Sequence, residues 1–155
     1  MALEGEYAPL KHKPWICDHV EVWERSGGLK GTNLAGSGEP CVIIVNRGAV
    51  SGQLHRTPVI KVEREGQYAA VGSKAGGPKD PAWVANVRAD PRVELWDGPA
   101  RGDYTARELN GDERRDWWDR AVAAFPTYAE YQAMTERVIP VFLLAPSAGT
   151  RPQAR

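Results

Sequence analysis

The sequence predicts one α+β domain, a small barrel of about six mostly antiparallel strands flanked by three or four helices. Three observations carry that expectation. Strand-like runs follow one another through turn residues, as in hairpins, and do not alternate with helices as in a doubly wound parallel sheet. Cys41-Val42-Ile43-Ile44-Val45 and Val141-Phe142-Leu143-Leu144 are short and continuously apolar, as strands buried on both faces are. The chain has 155 residues, 42% of them hydrophobic, enough for one core without staples.

Residues 1–13 are polar and interrupted by Pro9. Trp15, Ile16, Val20 and Trp23 then recur at helical spacing until Ser26-Gly27-Gly28 stops the pattern, which predicts a short amphipathic helix. It either caps the core or lies over a ligand site, a membrane surface or a partner; spacing does not separate these. A Gly-rich loop from Lys30 to Pro40 leads into strand one at Cys41. Asn46 to Gly52 makes a turn, and a second strand runs from Arg56 to Glu63, with Pro58 near its start where a missing N–H is tolerated. Glu65-Gly66 turns the chain again and Gln67 to Val71 returns as strand three, so the first three strands are expected to pair in succession.

Val71 to Pro91 passes from a strand end, through glycines and lysines, into a short helix carrying Trp83 and Asn86. Glycines permit close backbone approach to a ligand, and a loop with a helix start leaves amide N–H groups free for an anion or a carbonyl. Arg92 to Trp96 alternates in polarity, Asp97-Gly98 is a turn signal, and Ala100 to Glu108 forms a further strand of an antiparallel meander. Asn110 or Asp112 can cap a helix to Ala124, ended by Pro126; Tyr128 to Met134 forms another, and Pro140 marks the join to the final strand. Past Pro146 the small, polar and basic residues bury too little to offset ordering entropy. The expected organisation is a polar segment with the helix start over 1–19, the folded domain over 20–146 and a disordered tail over 147–155.

Twenty basic side chains balance twenty acidic ones, which argues against nucleic acid as a partner. Cys17 and Cys41 fall in a helix and a strand and are read as reduced. No run approaches the roughly 20 apolar residues of a membrane span, and no basic segment with an apolar signal core opens the chain, so the expectation is a cytoplasmic protein. His12, His19 and His55 are scattered and offer no metal set. Gly36-Ser37-Gly38 precedes strand one and lacks a third glycine, which disfavours a dinucleotide fingerprint, and Gly-x-Ser-x-Gly does not occur.

Three constellations remain. Arg47, Ser51, Gly52, His55 and Arg56, with nearby amides, suit a phosphate or carboxylate, or are simply solvated beside a turn. Lys74, Lys79 and Arg88 would converge on them if the first three strands pair. There the Gly72 to Gly77 backbone could serve a ring-shaped cofactor near Trp83; the alternative is that Trp83 belongs to the core and Asn86 only caps or bridges backbone. Phe125, Tyr128 and Tyr131 form the third group: the tyrosines share one helix face, where they either wall a pocket and donate a proton or only pack.

These blocks together, Ser26-Gly27-Gly28, Arg47-Gly48-Ala49-x-Ser51-Gly52, the Ser73 to Asn86 run, and Tyr-x-x-Tyr followed by Ile139-Pro140-Val141, resemble the deazaflavin (coenzyme F420)-dependent nitroreductase family of actinobacteria over roughly residues 20–146. The resemblance implies a split β-barrel of the FMN-binding-like superfamily. It implies that the phosphate and glutamyl tail of F420 meets Arg47, Ser51, Gly52, His55, Arg56 and Lys74. The deazaflavin ring is implied to lie against Pro58, Trp83, Asn86 and the run from Gly72 through Ala75 and Gly76 to Gly77. Ser73, Tyr128 and Tyr131 match acceptor-facing positions. Val50 and His55 stand where relatives often carry basic residues, and Phe125 replaces a tyrosine of some members. The implied reaction is hydride transfer from reduced deazaflavin to a small hydrophobic, electron-poor acceptor: an activated alkene, a quinone or a nitroaromatic. Alternatives are an FMN-dependent oxidoreductase on the same barrel, or a non-catalytic deazaflavin carrier or partner-binding module. Contact of the N-terminal helix with the inner face of a membrane stays open.

Overall fold

A computed structural model describes residues 3–10, 14–33 and 38–147. The chain runs α1 (Pro14–Arg25), β1 (Cys41–Arg47), β2 (Leu54–Ile60), β3 (Glu63–Arg64), β4 (Gln67–Val71), a 3-10 turn (Lys74–Gly76), α2 (Ala82–Ala89), β5 (Arg92–Asp97), β6 (Ala100–Glu108), α3 (Gly111–Ala124), α4 (Thr127–Ala133) and β7 (Val141–Pro146). The strands form one sheet in the order β2-β1-β5-β6-β7-β4-β3, with every neighbouring pair antiparallel. It curls far enough to bring β2 into contact with β4. This is the expected α+β split barrel.

Both faces of the sheet are apolar, and the period of two along each strand sorts side chains between two sides. Val42 and Ile44, Tyr68 and Ala70, Val93 and Leu95, and Phe142 and Leu144 point inward and are covered by Trp83, Val84 and Val87 of α2. On the outer face Val20 and Trp23 of α1 pack on Cys41, Ile43, Val45, Leu54 and Trp96. At the other end of that face, Trp117, Ala121 and Tyr128 of α3 and α4 pack on Ala69, Val71, Val141 and Leu143. Helix α1 caps the core through Val20 and Trp23, which have no exposed surface; the side chains of Trp15 and Ile16 lie outside the described residues. No helix among the described residues is long and apolar enough to cross one.

A polar pin closes the barrel. Tyr68 on β4 donates its hydroxyl proton to Asp97 on β5 at 2.5 Å, and Lys61 reaches the same carboxylate at 2.9 Å, tying strands that do not pair. Asp97 is buried, and a charge there is tolerated because both partners satisfy it.

Three expectations need correction. The first three long strands do not pair in succession: β2 ends at Ile60, and β4 lies across the barrel between β7 and the two-residue β3. The chain start is not apart from the fold, because Glu6 and Ala8 exchange backbone hydrogen bonds with Leu54 at 2.8 and 2.7 Å and lie parallel to the free edge of β2. Ser147, expected in the tail, donates its N–H to Asp103 at 2.9 Å. Asn110 occupies the N-cap position of α3 without a side-chain capping bond. The tail from Ala148 onward, Gly36 and Ser37, His12 and the thiol of Cys17 lie outside the described residues. Cys41 is a free, buried thiol whose pKa desolvation pushes up to about 12.

Candidate cofactor and acceptor site

Between β4 and α2 the backbone adopts a conformation that its sequence does not favour. Ser73 is right-handed (φ −74°, ψ −37°), whereas Lys74 and Ala75, neither of them glycine, have φ of 45° and 52°. Left-handed backbone costs such residues about 1–2 kcal/mol each. A right-handed residue followed by left-handed ones turns successive N–H groups to one side, making a concave nest for an anion or a carbonyl oxygen. The N–H groups of Ser73, Lys74 and Ala75 have no acceptor among the described residues, and the Lys74 side chain is exposed. Gly72 before them donates to Pro140 O at 2.9 Å. A Cβ there would lie 2.8 Å from Val84 and 2.9 Å from Pro140, so this glycine serves close packing of α2 and the entry to β7.

Strain of this kind persists only where its surroundings over-determine it. Arg137 does so. Its guanidinium donates to the carbonyls of Gly72 (3.1 Å), Ser73 (2.7 Å) and Gly77 (3.0 Å) and to the Asp80 carboxylate (2.7 Å). Sequence reasoning missed Arg137, Asp80 and Gln132. The one signal in reach was the nearby Ile139-Pro140-Val141 block, whose Pro140 carbonyl holds Gly72.

Helix α4 packs directly on this turn: a Cβ at Gly76 would lie 3.0 Å from Tyr131 O. The structure thus brings Ser73, the 74–76 turn and the tyrosine helix together. Phe125 meets Tyr128 edge-on at 5.0 Å, and the Tyr128 and Tyr131 rings are 6.4 Å apart. Tyr128 is 3% exposed and its hydroxyl has no partner among the described residues, whereas Tyr131 is half-buried. Burial, reinforced by the neighbouring Tyr131, pushes the Tyr128 phenol well above its ordinary value of 10.0.

Trp83 and Asn86 both have partners inside the protein. Trp83 is 5% exposed and meets Phe142 edge-on at 5.5 Å inside the barrel, so its ring face belongs to the core. Asn86 accepts the N–H of Ala49 at 2.9 Å and donates to the buried Asn46 at 2.8 Å. That pair fixes the turn after β1 against α2. The two basic stretches are therefore linked through α2, not through strand pairing.

Within the turn, Arg47 donates to Gly52 O (2.8 Å) and Glu4 O (2.6 Å) and pairs with Asp90 at 3.5 Å. Arg92 holds the Asp90 carboxyl below its ordinary range. Arg56 turns to α1, where it pairs with Glu24 and lies 4.7 Å over the Tyr7 ring. Arg88 forks onto Glu108 at 2.9 and 2.8 Å and reaches Asp80 at 3.5 Å, so it does not converge with the turn as a free cation. Pro58 stands opposite Ile43 in the β1–β2 ladder, on the same side of the sheet. Ser51, His55, Arg56 and Ala82 line a cavity of about 350 Å³ whose opposite wall is Ala8 to Leu10. Gly48 leaves room for the Ser51 and His55 side chains, since a Cβ would meet Ser51 Oγ at 2.7 Å and His55 Nε2 at 2.8 Å. Gly52, at φ 73°, faces open space. Among the described residues no three His, Cys, Asp or Glu side chains gather as a metal set.

The family model of F420H(2)-dependent quinone reductases matches residues 15–146. An F420H(2)-dependent quinone reductase of Mycobacterium tuberculosis is 32% identical over 130 residues, spanning 81% of this chain and 86% of that protein. Among solved structures, an F420-H2 dependent reductase (FDR-A) is 50% identical with a TM-score of 0.65, covering 68% of this chain and 93% of that one. Another, described as a domain-swapped dimer, is 44% identical with a TM-score of 0.67, covering 84% and 96%. The match extends from α1 to the end of β7, and the chain belongs to the F420H(2)-dependent quinone reductase family.

Proposed function

We propose that the nest at residues 73–75 and the tyrosines of α4 form the ring and acceptor side of the site, and that the cavity at Ser51 and His55 takes the cofactor tail. As a member of its family, the chain is an oxidoreductase that uses coenzyme F420. The observation carrying the residue roles is the set of unpartnered N–H groups on a strained turn packed against Tyr131. The fit is chemical: a ring bearing carbonyls needs fixed donors, which the nest offers, and an anionic tail needs cations and amides, which Lys74 and the cavity offer. Bound there, the reduced deazaflavin supplies a hydride to an electron-poor acceptor.

The protein's share is orientation, exclusion of water and a hydrogen bond to the acceptor oxygen on which charge develops. Phe125 and Trp118 flank Tyr128 and shield its side of the site from water. The Tyr128 and Tyr131 hydroxyls, or that of Ser73, donate to the acceptor oxygen, and a tyrosine or a water supplies its proton. Arg47 and Arg56 shape the tail cavity through Glu4, Asp90 and Glu24, while Lys74 is the cation available to the tail. A quinone is the acceptor that best fits an aromatic wall with hydroxyl donors.

Oxidation of F420H2 on addition of a menadione-like quinone, followed by absorbance, tests the reading; inertness towards quinones, enones and nitroaromatics alike would overturn it. A purified protein that is yellow with bound flavin would favour FMN instead. Lys74→Ala is expected to weaken F420 binding about tenfold, the loss of one charge-assisted contact. Lys74→Gly, which suits a φ of 45° better, should weaken it equally if the ammonium and not the turn is responsible. An unchanged Kd by cofactor fluorescence in both variants would remove Lys74 from the site.

A further inference from the structure

We propose that Arg137 is the positioning residue that presents the cofactor-binding nest, by holding its carbonyls on one side so that its N–H groups face the other. The proposal rests on reading residues 73–75 as the ring-binding half of the site. The argument is one of peptide geometry. In a planar trans peptide the C=O of one residue and the N–H of the next point in opposite directions. Arg137 takes the carbonyls of Gly72 and Ser73 at 3.1 and 2.7 Å, so the N–H groups of Ser73 and Lys74 in those same two peptide units point away from the guanidinium. A third bond, to Gly77 O at 3.0 Å, holds the far end of the turn.

Three carbonyls and a carboxylate around one side chain need a planar fork of five donors, which arginine has and lysine lacks. The group is well placed to act as a fixed part: its side chain is 16% exposed, and Asp80 at 2.7 Å balances its charge. The backbone that carries it is fixed in turn. Gln132 of α4 donates to Arg137 O at 2.8 Å and accepts the N–H of Ile139 at 2.9 Å. Gln132 follows Tyr131 in the chain, so the donor loop and the acceptor-side helix hang from one clamp. Without the fork the Gly72 carbonyl loses its Arg137 bond and Ser73 O keeps only the Gly76 N–H at 2.9 Å, so the peptide units that carry the Ser73 and Lys74 N–H groups are held less firmly in the strained conformation.

The test compares Arg137→Ala and Arg137→Lys with Arg114→Ala, a control that removes another part-buried guanidinium–carbonyl bond (to Ile139 O, 2.7 Å) without touching the carbonyls of residues 72–77. Arg137→Ala should raise the Kd for F420 and the KM for F420H2 about tenfold or more, with a smaller change in kcat at saturating cofactor and in the KM for quinone. Millimolar guanidinium ion should restore cofactor affinity to Arg137→Ala and do nothing for Arg114→Ala. Folded Arg137→Ala that binds F420 like the wild type, or is weakened without any rescue, overturns the proposal. Should Arg137→Ala not fold, Arg137→Lys decides: a raised cofactor KM supports the role and an unchanged one overturns it. Wild-type protein that binds F420 but reduces no acceptor overturns the catalytic reading alone, since the binding arm still tests Arg137. Wild-type protein that does not bind F420 overturns both.

Discussion

Gly28→Ala should destabilise the protein by roughly 2–5 kcal/mol, adding the cost of left-handed backbone to that of overpacking. For a chain of this length that lowers Tm by about 10 °C. Gly28 has φ 85°, and a Cβ on it would lie 1.9 Å from Gly98 O, 2.4 Å from Gly98 C and 2.7 Å from Pro99 N. All three are backbone atoms of the turn between β5 and β6, so no side chain can swing aside. Either that turn moves or the end of α1 lifts, and α1 carries Val20 and Trp23 into the outer core and Glu24 onto Arg56. F420 affinity should fall together with stability. Gly27→Ala is the comparison, because its φ of 63° carries the backbone cost but nothing lies within 4 Å of its Cβ position. Thermal melts in which the two variants shift equally would show that contact with Gly98 does not matter.

Tyr128→Phe should lower kcat about a hundredfold, the scale of a lost proton donor, while F420 affinity stays as it was. The discriminating feature is stability. The Tyr128 hydroxyl makes no hydrogen bond among the described residues, so removing it breaks no protein contact, and Tm should hold. A fall in kcat together with a fall in Tm would point to packing damage instead. Tyr131→Phe should lower kcat as well. The raised Tyr128 pKa has a sign that can be checked: the phenol keeps its proton beyond its ordinary value of 10.0, so its ionisation should remove no turnover below about pH 10. An alkaline limb that lies below that pH and vanishes in Tyr128→Phe would contradict this.

Local signals made most of the elements legible. β4 and β6 have the ends that Gln67–Val71 and Ala100–Glu108 predict, because turn residues bracket both runs. β1 runs two residues further than its apolar stretch, since Asn46 and Arg47 continue the ladder opposite His55 and Leu54. Long-range geometry was not legible. Nothing in Glu6-Tyr7-Ala8 announces a partner at Leu54, and nothing in Gln67–Val71 says that its neighbour is β7 and not β2. The same divide runs through the site. The glycines and tyrosines stand in recognisable spacing, but whether a cation is free depends on where it lands. Arg56 meets Glu24, Arg88 meets Glu108, and Arg137 reaches back to Gly72, Ser73 and Gly77. Among twenty basic residues no local pattern separates those three from Lys74.

The strand-like pairing of Glu6 and Ala8 with Leu54 makes the chain start a clasp on the cavity that Ser51 and His55 line. Its polar holds include two backbone hydrogen bonds, the Arg47 bond to Glu4 O, and the contacts of Arg56 with Ala8 O and the Tyr7 ring, all at one edge of the sheet, so the clasp should open locally before the central strands do. Ala8 to Leu10 form one wall of the cavity, so a ligand that binds better with the clasp shut must favour its closure by the same free energy. With the cofactor tail in that cavity as proposed, hydrogen exchange at Ala8 and Leu54 should slow when F420 binds.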